Sequence, residues 1–161
     1  MKQIFKSAKI QLIIPILSMI ILNACGTRPG NKGNALKQGI SGQVLWVAGN
    51  RMPSPDNPAD TPPGIQCTLF IHELTAPAMA EAAANPSFYK KINSPLVKSF
   101  KTEKDGTFSI ELPAGDYSVL MGVDSLFYAN ISDQFGNLNP VHVGKDSVTP
   151  LRLMLDYKAV Y

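Results

Sequence analysis

From Gly39 onward, apolar and polar residues alternate with a period of two, in short runs separated by clusters of Gly, Pro, Asn and Asp. Successive side chains of a strand point to opposite faces, so this period predicts strands with one buried face, and many such short strands predict an all-β sandwich. The first run is Ile40 to Val47. Gly49 to Pro63 follows, with prolines at 53, 55, 58, 62 and 63. Proline has no N–H to give to a ladder, so this segment is predicted to be a stiff surface loop. Ile65 to Leu74 is the second strand, with Ile65, Cys67, Leu69 and Ile71 on one face and Gln66, Thr68, Phe70 and His72 on the other. Thr75-Ala76-Pro77 then offers a cap and a first-turn proline, and the alanine-rich run to Ala84 predicts a short helix in an insertion over residues 76–88. It should end before Asn85-Pro86.

Leu96 to Thr102 and Thr107 to Leu112 flank Lys104-Asp105-Gly106. An Asp-Gly pair between alternating runs favours the positive φ angles of a tight turn, which predicts a β-hairpin here. Phe108, Ile110 and Leu112 should face inward. After a turn at Pro113 to Asp116, Tyr117, Val119, Met121 and Val123 should line the inner face of the next strand. A short strand from Leu126 to Ile131, a polar loop from Ser132 to Asn139 and Val141-His142-Val143 come next. In the last strand, Leu151, Leu153, Leu155 and Tyr157 alternate with Pro150, Arg152, Met154 and Asp156. Pro150 places its start at a sheet edge.

The N-terminus follows a different pattern. Lys2, Lys6 and Lys9 precede an apolar run from Ile10 to Leu22, which Gln11 and Pro15 interrupt. A helix needs roughly 20 apolar residues to span a bilayer, so the run is too short, and its basic flank and small Ala24 fit a signal peptide over residues 1–24. The closing Leu22-Asn23-Ala24-Cys25 resembles the lipobox of bacterial lipoproteins. That resemblance implies a mature N-terminus at Cys25 carrying acyl chains, and hence a membrane as partner. Each buried methylene contributes about 0.8 kcal/mol, and two or more chains give lasting attachment. Gly26, in place of an aspartate, resembles the rule for transfer to the outer membrane. Residues 25–38, rich in Gly, Asn and charge, read as a flexible tether, leaving residues 39–161 as the domain.

Processing changes the electrostatics. Fifteen Lys and Arg face twelve Asp and Glu, and residues 1–24 contain three lysines and no acid. The mature chain is formally neutral, which gives no support to a nucleic-acid partner. With Cys25 lipidated, Cys67 has no intramolecular disulfide partner.

No Gly-x-Ser-x-Gly, His-Glu-x-x-His or phosphate-cradling glycine loop is present, so no catalytic residue, cofactor or metal is expected and the chain reads as a non-enzyme. His72 and His142 with Glu73, Asp133 or Cys67 are ligand types at no recognised spacing. They carry the alternative, a small hydrolase or metal-dependent enzyme. Asp133, Asn137 and Asn139 lack the closing glutamate of a calcium loop. Trp46, the only tryptophan, lies beside Arg51, Met52, Pro53 and Pro55 at the mouth of the proline-rich loop. A pre-stiffened loop loses little entropy on docking, and aromatic and Arg side chains dominate binding hot spots. These five residues are therefore the candidate binding loop, for an envelope protein or glycan.

Thr102-x-x-Asp105-Gly106-x-Phe108-x-Ile110-x-Leu112-Pro113-x-Gly115-x-Tyr117-x-Val119 resembles the central motif of carboxypeptidase regulatory-like domains, and Gly42-x-Val44 fits their opening strand. The resemblance implies a transthyretin-like Greek-key β-sandwich of about seven strands. It concerns turns and core, so it implies architecture and not chemistry. Adhesin repeats of the Cna-B kind, also similar in fold, need a first-strand lysine that Ile40 to Val47 lacks. Transthyretin-like hydroxyisourate hydrolases end in Tyr-Arg-Gly-Ser, where this chain ends Lys158-Ala159-Val160-Tyr161.

Overall fold

A computed structural model of the chain describes residues 36–52 and 61–161, all within one compact unit, Asn34–Tyr161. Among them, ten strands form two sheets of a sandwich. In the smaller sheet, β1 (Gly39–Asn50) lies between β10 (Val148–Val160), parallel to it, and β6 (Thr107–Glu111), antiparallel. The larger sheet runs β3 (Ala80–Ala82), β4 (Phe88–Ile92), β8 (Leu126–Tyr128), β7 (Gly115–Val123), β2 (Thr68–Glu73), β5 (Leu96–Lys101). β9 (Pro140–Val143) pairs with β7 on the edge that β8 shares. Pro150 does stand on an edge strand, since β10 ends the smaller sheet.

Period two delivers the core. Ile40, Val44, Cys67, Leu69, Ile71, Phe108, Leu112, Tyr117, Val119, Met121, Leu153 and Leu155 are buried in one cluster between the sheets. Gln38, the last residue of the expected tether, is already pinned: its amide donates to Leu112 O and its Oε1 accepts from Asp146 N–H, each at 2.9 Å.

Part of the excess over seven strands comes from the 76–88 insertion, which adds β3 and where the expected helix is reduced to one 3-10 turn, Pro77–Met79. Thr75, its expected cap, is buried and occupied elsewhere: its hydroxyl donates to Glu73 O and its N–H donates to Ser118 Oγ. A helix this short has little intrinsic stability and needs an apolar face to bury. Extended instead, Ala80–Ala82 pairs with β4, and Ala80, Tyr89 and Ile92 join Phe70, Leu120, Phe127, Ala129 and Leu138 in a second, smaller core. The outer face of the larger sheet is thus covered where Phe70 points.

The Asp105-Gly106 turn forms, but it does not make a hairpin. Gly106 has φ 79°, and its N–H donates to Glu103 O. Yet β5 pairs with β2 and β6 with β1, so the turn is a corner between sheets. Val44 N–H donates to Gly106 O at 2.9 Å, and a Cβ at Gly106 would stand 2.3 Å from Val44 O. β1 therefore occupies the place a hairpin partner would need. For the same reason Phe108 and Tyr117, both in the core, belong to facing sheets and not to neighbouring strands.

The polar loop is stiffened by Asp133, whose Oδ1 accepts N–H bonds from Phe135 and Asn137 at 2.9 Å while Oδ2 accepts from the Asn137 side chain at 2.8 Å. The Asn137 side-chain bond, with backbone N–H bonds assisting, holds its carboxyl below the usual range. A carboxyl with a depressed folded-state pKa contributes stability above its unfolded value, near 3.9, and loses it as pH falls through the folded value. The amide resonances of Phe135 and Asn137 should therefore hold still at neutral pH and titrate together below about pH 4. Movement near pH 6 instead would contradict this.

Candidate functional site

The predicted binding residues lie at the C-terminal end of β1. Pro53 and Pro55, like Cys25, fall outside the described residues. The parallel ladder pairs Asn50 with Val160, which sets the last residues of the chain beside the mouth of the proline-rich segment. Both ends of that segment are tied down: Arg51 N–H donates to Val160 O, and Trp46 N–H donates to Pro63 O, each at 2.8 Å.

A bulge then reshapes the surface. Trp46 pairs with Leu155 and Ala48 with Lys158, so Val47 alone opposes both Asp156 and Tyr157. Such a bulge re-aims side chains, and here it ends the simple alternation expected of the last strand. Asp156, expected on the outer face, reaches across to the larger sheet. Its Oδ1 accepts from Tyr128 OH at 2.5 Å and from Asn130 Nδ2 at 2.8 Å. Burial, and then this bond to a carboxylate, push the Tyr128 hydroxyl well above its usual range, so it stays a donor. Tyr157, partly buried, packs against the core, with ring centroids 5.4 Å from Trp46, 5.3 Å from Phe88 and 5.7 Å from Tyr128. Lys158 Nζ lies 5.8 Å from the centroids of both Trp46 and Tyr157. Cation–π contacts of this kind contribute about 0.5–1 kcal/mol at exposed sites.

The outer layer is exposed and apolar: Met52 is 50%, Val160 59% and Tyr161 68% accessible. Tyr161 is nonetheless oriented, because its hydroxyl donates to Asp156 Oδ2 at 3.1 Å. Burial and that bond raise the Tyr161 hydroxyl, while the nearby Arg51 charge lowers it. Chemically, this is a pre-ordered patch of aromatic faces and cations. It can stack against sugar rings or flat side chains and hydrogen-bond at its rim.

The histidines do not converge. His72 is buried, and its Nδ1–H donates to Ser94 O at 2.9 Å. Ser94 Oγ and Thr75 Oγ1, 2.7 Å apart, continue this buried polar group, which fastens the insertion to β2. His142 is exposed and pairs with Asp116 at 2.7 Å. The two stand on opposite sides of β7, His72 across from Ser118 and His142 across from Asp116. Among the described residues, no group of three His, Cys, Asp or Glu could hold a metal ion. Cys67 is buried, and burial pushes its thiol up.

Tyr157, Lys158, Val160 and Tyr161 carry no signal in the sequence that would place them here. They lie about a hundred positions from Trp46, and a parallel pairing at that separation leaves no local mark. No family model matches the chain, and neither a curated protein nor a solved structure does.

Proposed function

We propose that this chain is a lipid-anchored protein of a bacterial cell envelope, held in the membrane, the outer one by its Gly26, through Cys25. Its sandwich, of the carboxypeptidase regulatory-like kind, works as a non-catalytic binding or scaffolding module for an envelope protein or glycan. The observation that supports binding is the rigid aromatic and cationic surface built by Trp46, Arg51 and Met52 with Tyr157, Lys158 and Tyr161. Ordering that precedes contact reduces the entropy lost on docking.

Two arms test this. Cys25→Ala should leave the protein unprocessed or release it from membranes, with intact mass lacking acyl chains; a membrane-bound mutant of unchanged mass would rule out lipidation there. A photo-crosslinking residue at Met52 should yield adducts in cells, whereas one at Lys145, in the β9–β10 turn at the other end of β10, should not. Glycosidase digestion separates glycan adducts from protein adducts. Equal adducts from both positions would refute the binding surface.

A further inference from the structure

We propose a second, independent interaction surface: the outer edge of β5 accepts an extended acidic segment of a partner protein as an added antiparallel strand, with carboxylates opposite Lys98 and Lys101. Among the described residues, β5 ends the larger sheet and pairs only with β2. Thr102 N–H donates to Cys67 O, and Leu69↔Phe100 and Ile71↔Lys98 continue the same bonded phase. Thr68↔Lys101 and Phe70↔Ser99 are therefore the pairs without mutual bonds, and the N–H and C=O of Ser99 and Lys101 point to the open side. Added strands dock on open edges of this kind through main-chain bonds, with side chains setting specificity.

The side chains choose the occupant. Leu96, Val97, Lys98, Ser99 and Lys101 are exposed, Leu96 and Val97 at 53% and 41%. Neither Lys98 nor Lys101 joins an ion pair among the described residues, and β5 contains no acidic residue. A second copy of β5 would bring its own two lysines, with no acidic residue on the strand to meet them, and like charges brought together across a ladder repel. Edge lysines thus act against self-pairing, and the same lysines attract carboxylates. Their separation fixes the partner's pattern: an acidic residue, two of any kind, a second acidic residue, then apolar residues alongside Val97 and Leu96. Beside the strand, a groove of ≈ 340 Å³ lined by Phe100, Lys101, Glu103 and β6 residues leaves room for side chains of the added strand.

The test uses the full chain in detergent and two blocked peptides, Glu-Thr-Thr-Glu-Val-Val and Lys-Thr-Thr-Lys-Val-Val. The acidic peptide should bind saturably, at least about tenfold more tightly than the basic one, and should slow amide exchange at Ser99 and Lys101. The double variant Lys98→Glu, Lys101→Glu should reverse that order. Ser99→Pro removes an outward donor on an edge strand, where proline is tolerated. It should abolish binding with the thermal midpoint retained. Equal binding of both peptides, protection on another strand, or binding that survives in folded Ser99→Pro would overturn the proposal. Should Ser99→Pro fail to fold, the charge-reversal pair decides alone. Because no arm touches Cys25 or Met52, failure here is distinguishable from failure of the anchored binding role.

Discussion

Phe108→Ala is expected to lower the free energy of unfolding by about 3–5 kcal/mol, the range for deleting a buried aromatic side chain. Phe108 is 8% exposed, stands opposite Gly42 in the β1–β6 ladder, and meets Phe100 of the facing sheet at 5.9 Å between ring centroids. It therefore joins the two layers at the side where β5 and β6 are both edge strands. The groove beside it lets water reach part of any cavity, which favours the lower half of that range. Ser109→Ala, on the exposed face of the same strand, should change stability by less than about 0.5 kcal/mol. Urea denaturation of both variants checks the face assignment. A loss below about 1 kcal/mol for Phe108→Ala would mean the strand is turned the other way.

Gly42→Ala should be comparably damaging for a different reason. A Cβ on Gly42 would lie 1.8 Å from Leu151 O and 2.7 Å from its carbonyl carbon. Those are backbone atoms of β10 in register with Gly42, so relief requires moving the parallel ladder and not a side chain. Overpacking typically costs about 1–3 kcal/mol, and the absence of a flexible neighbour puts this variant at or above the top of that range. The displacement should travel along β10 to the Tyr157 and Lys158 contacts with Trp46. Trp46 is the only tryptophan, so its fluorescence reports that end directly. Gly49→Ala is the control. Gly49 has φ 76°, and a Cβ there would meet nothing within 4 Å, so only the left-handed strain of about 1–2 kcal/mol applies. If Gly42→Ala cost less than Gly49→Ala and left Trp46 emission unchanged, the close β1–β10 approach would be wrong.

The candidate surface was half legible. Trp46, Arg51 and Met52 stand out in the sequence because an isolated tryptophan beside clustered prolines is a local feature. Their partners Tyr157, Lys158 and Tyr161 carry no such mark. They become partners only through the parallel pairing of the first and last strands and through the bulge at Asp156 and Tyr157. The histidines show the converse: as residue types they suggested chemistry, but His72 serves a buried polar anchor and His142 a surface pair.

What the sequence determined by itself is which residues go inward. Leu69 and Ile71, Val119 and Met121, and Leu153 and Leu155 all reach the core, because the side-chain period of an extended chain is a local property that any partner strand preserves. The Asp105-Gly106 turn was legible on the same ground, since a positive φ at Gly106 depends on the residue and not on its surroundings. Only the tertiary structure decided which strands meet. The chain after Gly106 joins β1 and not β5, Ala80–Ala82 extends a sheet and does not coil, and β10 lies parallel to β1. Each of these outcomes is a competition among distant segments for the same buried area and the same backbone donors. Local periodicity leaves such alternatives equal, and packing between the two sheets separates them.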